Sequence, residues 1–244
     1  MKRGVYLLPN LFTTGNLFMG FYSIVASLKG HFHMAAWAIL LAIFFDMLDG
    51  KVARLMRATS SFGVQYDSLA DLVSFGVAPG LLAYNWILSP MGRVGWLIAF
   101  FFLTCGALRL ARFNIQAHTP QAKKAFLGLP IPAAAAAVAT TYLFMADLHL
   151  GLPSRLVLAL VAGMMVCLAL LMVSTIEYKA FKETDPTKRH PFGMLLLTVA
   201  IIFILVAEPH ITLFAFTFAY VLSGPFSALS VVRKSQVFQK KAEV

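Results

Sequence analysis

Four aspartates stand out because they occur in apolar stretches of the chain. Asp46 and Asp49 form one pair, and Asp67 and Asp71 form a second pair a short distance further on. Spacings of three and four residues place the members of each pair on one face of a helix. Carboxylates at membrane depth are costly unless something compensates them. Four that converged without a cation would repel one another or take up protons.

The chemistry that such a group supports depends on bound metal. Carboxylate oxygens are the ligands that hard divalent cations prefer, so the sequence predicts Mg²⁺ or Mn²⁺. Two such ions about 4 Å apart form a clamp that suits phosphoryl-type displacement. The aspartates therefore predict two divalent cations in an enzyme that moves a phosphoryl group.

Small and basic residues lie close to the aspartates. Gly50 and Ala53 fall on the aspartate face and leave room for a ligand to approach the backbone. The segment 54–63 is a short basic loop with hydroxyls and a glycine, which suits a diphosphate. The whole pattern is Asp46-x2-Asp49-Gly50-x2-Ala53-Arg54-x8-Gly63-x3-Asp67-x3-Asp71.

The elements that position these residues are membrane helices. Hydrophobic residues make up 60% of the 244 residues and charged residues 12%, with a mean hydropathy of +0.81. A soluble domain carries roughly 25% charged residues, so most of this chain avoids water. We predict an all-α, polytopic bundle of about eight transmembrane helices in a single domain over residues 1–244. The predicted helices cover residues 11–29, 34–57, 64–88, 94–113, 130–147, 155–176, 191–207 and 211–232.

Positive charge is distributed unevenly between the two sides of this bundle. Of the 20 lysine and arginine residues, 17 fall in the termini and loops of one side. We predict that the protein lies in the cell (inner) membrane. The positive-inside rule places the basic side, with both termini and the aspartates, in the cytoplasm. The basic excess suits anionic lipid headgroups and not nucleic acid. Four histidines fall at the opposite face, where interfacial polar residues are expected and not a zinc site: His31, His33, His149 and His210.

The aspartate pattern matches the signature of the CDP-alcohol phosphotransferase family at all eight fixed positions, so the chain resembles that family. Further stretches resemble one branch of it, the bacterial-type phosphatidylserine synthases. They are residues 8–13, 68–79, 106–114 and 128–132. The resemblance is clearest over a catalytic core of about residues 5–135.

The resemblance implies a role for each residue of the pattern. Asp46, Asp49 and Asp67 would ligate one cation. Asp46, Asp67 and Asp71 would ligate a second, and Asp71 would act as general base. The CDP-lipid would be held by Asn10, Thr13, Gly50, Ala53, Arg54, Ser60 and Gly63. Helix caps and ordinary helix–helix hydrogen bonds are the alternatives for Asn10, Thr13 and Ser60.

The reaction implied by the resemblance is transfer of a phosphatidyl group from CDP-diacylglycerol to L-serine with release of CMP. The resemblance also suggests a homodimer among membrane lipids. Arg109 and Arg112 suit the serine carboxylate or a lipid phosphate, because the arginine fork matches such anions; charge anchoring at the cytoplasmic face is the alternative. The same chemistry with glycerol phosphate or inositol phosphate stays open, as does a cation-coupled transporter. The paired repeats and broken helices of transporters are not evident in the sequence.

Overall fold

The structure is a computed structural model that describes residues 7–55, 60–117, 126–148, 154–178 and 208–242. Within these ranges the chain forms eight α-helices and two short strands. The helices are α1 (Leu7–Leu28), α2 (Phe32–Leu55), α3 (Ser61–Asp71), α4 (Ala78–Ala83), α5 (Arg93–Ala117), α6 (Ile131–Leu148), α7 (Ser154–Val173) and α8 (Pro209–Ala242). The strands β1 (Phe126–Leu127) and β2 (Glu177–Tyr178) pair antiparallel, with Phe126 opposite Tyr178.

Seven helical segments in the described ranges are long and apolar enough to cross a membrane. The prediction of an all-α, multi-pass membrane bundle is therefore confirmed. The predicted helix over residues 191–207 lies outside the described residues. The predicted helix over 64–88 corresponds to one continuous span, Ser61–Met91. In this span a π-helical turn (Leu72–Val77) joins α3 to α4, and a second π-helical turn (Tyr84–Leu88) follows α4.

The last helix differs from its predicted bounds. Helix α8 begins at Pro209 and continues to Ala242, ten residues beyond the predicted end at residue 232. The prediction placed the end where the apolar run stops. Lysine and glutamine are good helix formers, however, so a helix does not need to end where its sequence becomes polar.

A tight reversal joins α1 to α2. Gly30 adopts a positive φ of 76°. The His31 N–H donates to the Ala26 carbonyl at 2.9 Å, and the Gly30 N–H donates to the Ser27 carbonyl at 3.1 Å. This pair of bonds is the Schellman motif that ends many helices at a glycine. The reversal makes α2 run antiparallel to α1, so the end of α2 returns to the level of the start of α1.

Small side chains form much of the core of the bundle. Ala35, Ala42, Ala134 and Ala137 are fully buried where α1, α2, α6 and α8 pack together. Small residues let membrane helices approach closely, where van der Waals contact holds them. Large apolar side chains such as Phe18 instead lie exposed on the outside of the bundle. An extensive exposed apolar surface of this kind is what a lipid-facing bundle presents.

Helix α8 contains Pro225, and its consequence is visible at the carbonyl one turn earlier. Proline has no N–H, so the Val221 carbonyl loses its usual helical partner. The Tyr178 hydroxyl donates to this carbonyl oxygen at 3.0 Å. Burial and the nearby Tyr220 phenol raise the pKa of Tyr178 to about 12, so its hydroxyl remains a donor at neutral pH. Gly224 makes room for the tyrosine, since a Cβ there would collide with the Tyr178 ring.

We expect Tyr178→Phe to lower the free energy of unfolding by about 1–3 kcal/mol, because the Val221 carbonyl would be left buried without a partner. In a Pro225→Ala background the restored N–H supplies that partner, and the same substitution should cost much less. Thermal unfolding of the four variants in detergent measures the difference. An equal cost of Tyr178→Phe in both backgrounds would show that the hydroxyl does not compensate for the proline.

Candidate active site

The four aspartates lie together at one end of the bundle. Carboxylate oxygens of Asp46 and Asp49 on α2 and of Asp67 on α3 all lie within 4.8 Å of one another. Asp71, one turn further along α3, lies beside Asp46. The side chains of Asp49 and Asp71 are buried, with residue exposures of 6% and 8%. The structure thus brings the two sequence pairs into one cluster, which we call the aspartate cluster.

Helix α1 supports the aspartate cluster through side-chain hydrogen bonds. The Thr13 hydroxyl donates to Asp49 Oδ2 at 3.0 Å. The Asn16 amide donates to Asp71 Oδ1, also at 3.0 Å. The Ser74 hydroxyl in turn donates to the Asn16 backbone carbonyl at 3.0 Å, which fixes α1 against the π-helical turn after α3. One carboxylate from each pair is therefore held in place by the first helix.

The donor set of the aspartate cluster fits a divalent cation. Its members supply only carboxylate oxygens, which hard divalent ions prefer. Asp67 Oδ1 is buried and has no hydrogen-bond partner among the described residues. Among the lysine and arginine side chains that the structure describes, which do not include Arg54, none forms a salt bridge with these carboxylates. Buried carboxylates that lack such partners are stabilised when they coordinate a cation.

Three of the residues predicted to hold the CDP-lipid meet at the start of α3. Ser60 is the N-cap of α3, where its side-chain oxygen accepts a hydrogen bond from the Gly63 N–H at 3.0 Å. Asn10 Oδ1 lies 3.5 Å from the position that a Cβ on Gly63 would take. The capping alternative for Ser60 is thus realised in the structure. Its hydroxyl proton remains able to donate to a ligand.

The other predicted CDP-lipid residues lie on α1 and near the end of α2. Thr13 contacts Asp49, as described above. Gly50 borders open space, since no described atom other than those of its chain neighbours and its own helix backbone lies within 4 Å of where its Cβ would be. The backbone of α2 continues through Ala53 and Arg54, whose side chains lie outside the described part of the chain. A ligand could therefore approach the helix backbone directly beside the aspartate cluster.

Comparison with known proteins identifies the family. A model of CDP-alcohol phosphatidyltransferases matches residues 6–173, which is more than half of the chain and includes all four aspartates. The chain belongs to the CDP-alcohol phosphatidyltransferase family. The sequence resemblance is clearest over about residues 5–135, and the family match extends beyond this core to take in α6 and α7.

Curated relatives of this CDP-alcohol phosphatidyltransferase carry related names. The CDP-diacylglycerol–serine O-phosphatidyltransferase of Helicobacter pylori (strain J99) is 41% identical over 202 residues, which cover 82% of this chain and 83% of the relative. The enzyme of the same name from Mycobacterium bovis is 31% identical over 235 residues, covering 94% and 81%. The archaetidylserine synthase of Methanothermobacter thermautotrophicus is 38% identical over 173 residues, covering 70% and 69%. The resemblance drawn from the aspartate pattern is confirmed.

The two arginines predicted to bind an anion differ in their surroundings. Arg109 is buried near Asp71 and near Tyr220 of α8. Its Nε has no hydrogen-bond partner among the groups that the structure describes. Arg112 instead donates from Nη1 to the carbonyl of Val173 at 3.4 Å, at the C-terminal end of α7. A cation at a helix C-terminus is favourable in itself, so the position of Arg112 needs no bound anion to explain it. Of these two arginines, Arg109 is the one that lies near an aspartate of the cluster.

Asn16 is a residue of the site that the aspartate pattern does not include, although the sequence carries a signal for it. Small and polar residues of α1 recur at spacings of three and four, which places them on one helix face. This face is buried and comprises Thr13, Asn16, Gly20, Ser23 and Ser27. Gly20 allows the close approach of α1 to the π-helical turn after α3, because a Cβ there would collide with Ser74. The period of small polar residues could have identified α1 as the helix that packs against the aspartates.

Two further hydrogen bonds join helices around the aspartate cluster. The Thr14 and Tyr66 hydroxyls share a hydrogen bond of 3.0 Å between α1 and α3. The Asn114 amide of α5 donates to Ser68 Oγ at 2.9 Å. Ser68 directly follows Asp67, so α5 is linked to the helix turn that carries two of the aspartates. Neither pair was predicted from the sequence, because each depends on how two distant helices dock.

Proposed function

We propose that the chain is a CDP-diacylglycerol–serine O-phosphatidyltransferase, which transfers a phosphatidyl group to L-serine and releases CMP. The observation that supports this most directly is the aspartate cluster itself, with three carboxylates within 4.8 Å at the positions of the family pattern. The names of the Helicobacter and Mycobacterium relatives support serine as the acceptor.

Two divalent cations, Mg²⁺ or Mn²⁺, belong to this proposal. Asp46, Asp49 and Asp67 would hold one of them, and Asp46, Asp67 and Asp71 would hold the other. When bound, the ions neutralise the charge of the diphosphate and of the departing CMP. The unpartnered Asp67 oxygen supports the assignment of that residue to both ions.

The side chains of the protein supply the proton transfer and the positioning. Asp71 accepts the proton of the serine hydroxyl while the hydroxyl oxygen forms its bond to the lipid-side phosphorus. The bond from that phosphorus to the CMP oxygen breaks, and CMP leaves with the bonding electrons. Asn16 holds the Asp71 carboxylate in a fixed orientation through its 3.0 Å hydrogen bond. Fixed geometry of this kind accounts for much of the rate enhancement in phosphoryl transfer.

The CDP-lipid and the acceptor would occupy the two sides of the aspartate cluster. The nucleotide would lie against Gly50, with its open space, and near Asn10 and Gly63, whereas Ala53, Arg54, Ser60 and Thr13 would complete its pocket. Arg109 would receive the serine carboxylate or the lipid phosphate, since its buried guanidinium has an unpartnered nitrogen beside Asp71. Arg112 of α5 would assist from its position against the C-terminal end of α7.

The membrane setting of the enzyme is also part of the proposal. The basic side of the bundle would face the cytoplasm of the cell membrane, which places the aspartate cluster and both termini on that side. Serine and divalent cations would then reach the aspartates from the cytoplasm, and CDP-diacylglycerol would enter from the lipid. A homodimer is the proposed assembly.

The experiment that tests the function is CMP release by the purified protein. The protein in detergent receives CDP-diacylglycerol and Mg²⁺ or Mn²⁺, and acceptors are added one at a time. We expect CMP to appear with L-serine and to stop when EDTA is added. CMP release with glycerol phosphate or inositol phosphate, but not with serine, would show that the enzyme has the chemistry of the family but uses another acceptor. Failure to release CMP with any acceptor would favour the alternative hypothesis, that the chain is a cation-coupled transporter.

We expect Asn16→Ala to lower kcat by roughly 10- to 100-fold with little change in KM, because the Asp71 carboxylate loses its fixed orientation. Ser23→Ala is the matched control. It also removes a buried hydrogen bond of α1, from the Ser23 hydroxyl to the Ala35 carbonyl at 2.9 Å, but two helical turns along α1 from Asn16. Steady-state CMP release measures both variants. An equal loss of kcat in both would mean that Asn16 acts only through the packing of α1.

A further inference from the structure

A second group of metal-binding side chains lies at the other end of the bundle. His33 is in the first turn of α2, Asp147 is in the last turn of α6, and His210 is in the first turn of α8. One ligand atom from each residue lies within 4.8 Å of the other two. Asp46 follows His33 by 13 residues, so this group is roughly 20 Å along α2 from the aspartate cluster.

The contacts within the group are specific. His210 Nε2 lies 3.0 Å from Asp147 Oδ2. His210 Nδ1 is buried and finds no hydrogen-bond partner in the described part of the structure. The His33 and His210 rings are 5.8 Å apart, and the Trp37 ring lies 5.8 Å from His210 and 6.5 Å from His33. Two imidazoles and a carboxylate from three helices therefore surround one small volume beside Trp37.

The ligand types indicate which metals this volume would accept. Imidazole nitrogen together with carboxylate oxygen suits Zn²⁺ and related transition metals, whereas the oxygen-only aspartate cluster suits Mg²⁺ or Mn²⁺. Ligand atoms about 2.1 Å from a tetrahedral Zn²⁺ lie roughly 3.4 Å apart. The observed separations require only small side-chain rotations to reach that geometry. Three protein ligands leave the fourth position to water.

We propose that His33, Asp147 and His210 form a binding site for a transition-metal dication of the Zn²⁺ class, which ties α2, α6 and α8 together at the face remote from the aspartates. A plain hydrogen bond between His210 and Asp147 would join only α6 and α8. It would not account for the position of His33, whose ring lies 5.8 Å from that of His210. The site is independent of phosphatidyl transfer, because it shares no residue with the aspartate cluster.

The test is zinc binding by the full-length protein in detergent, with excess Mg²⁺ present to occupy the aspartate cluster. Equilibrium dialysis should find one tightly held Zn²⁺ per chain. His33→Ala should weaken this binding by at least about tenfold, since even loss of an outer-shell partner of a metal ligand typically costs 10- to 100-fold. His31→Ala is the matched control, because His31 is exposed two residues earlier, is not in the group, and should bind Zn²⁺ as the wild type does.

A second measurement locates the metal and does not depend on how well an alanine variant folds. In a Trp86→Phe, Trp96→Phe background, Trp37 is the remaining tryptophan of the chain. Added Co²⁺ should quench its fluorescence, and excess Zn²⁺ should restore it. Zn²⁺ should also raise the Tm of the wild type and of His31→Ala but not of His33→Gln. Zinc retained with wild-type affinity by His33→Ala, or Trp37 fluorescence unaffected by Co²⁺, would overturn the proposal.

Discussion

Asp71→Asn is expected to lower the rate of CMP release by roughly 10²- to 10⁴-fold, the range that a general base contributes. Asparagine has nearly the same shape, and its side-chain oxygen can still accept the hydrogen bond from Asn16. The variant should therefore fold normally and keep most of its affinity for the nucleotide. Turnover is measured as CMP release with serine, and nucleotide affinity by calorimetric titration with CMP.

Glu208→Gln provides the carboxylate control for this experiment. Glu208 is exposed just before α8, outside the aspartate cluster, and its loss should leave turnover unchanged. Turnover of Asp71→Asn close to that of the wild type would remove Asp71 from the role of base. The aspartate cluster would then need another proton acceptor.

The second large effect is expected at Asp67, which the family resemblance assigns to both cations. Asp67→Asn should raise the metal concentration needed for half-maximal activity by at least about 100-fold, because a charged ligand is lost from each ion. Excess Mg²⁺ or Mn²⁺ should then recover part of the activity. Activity measured across a metal titration, with the wild type alongside, gives the shift.

The contrast between the two aspartate variants separates their roles. Asp71→Asn should stay inactive at saturating metal, because added cation does not replace a proton acceptor. Asp67→Asn should recover in part, because added cation does compensate for weaker binding. An unchanged metal dependence in Asp67→Asn would mean that its buried, unpartnered oxygen does not face a cation.

Much of the fold and the centre of the site follow from local features of the sequence. Apolar runs long enough to cross a bilayer define the spans, and the spacing of the aspartates places each pair on one helix face. The short reversal at Gly30 is also a local signal, since glycine is favoured where a helix ends with positive φ. Such features depend on residues close together in the chain.

The remaining features depend on how distant segments dock, and single positions do not reveal them. The bond from Asn16 to Asp71 spans 55 residues, and the bond from Tyr178 to the Val221 carbonyl spans 43. A proline in α8 predicts an unpartnered carbonyl, but not which side chain will reach it. The group around His210 likewise requires the ends of three helices to coincide. Rotation of one helix by a single residue would separate these partners while leaving the sequence pattern intact.

We propose that the aspartate cluster holds two divalent cations close together. Electron paramagnetic resonance of bound Mn²⁺ tests it most directly, on a His33→Ala background so that the group around His210 does not contribute. We expect two Mn²⁺ per chain with the spectrum of a magnetically coupled pair, and loss of the coupled signal in Asp67→Asn. Two isolated Mn²⁺ signals would mean that the aspartate cluster does not hold two cations close together, and a coupled pair that persists in Asp67→Asn would mean that Asp67 does not bind both.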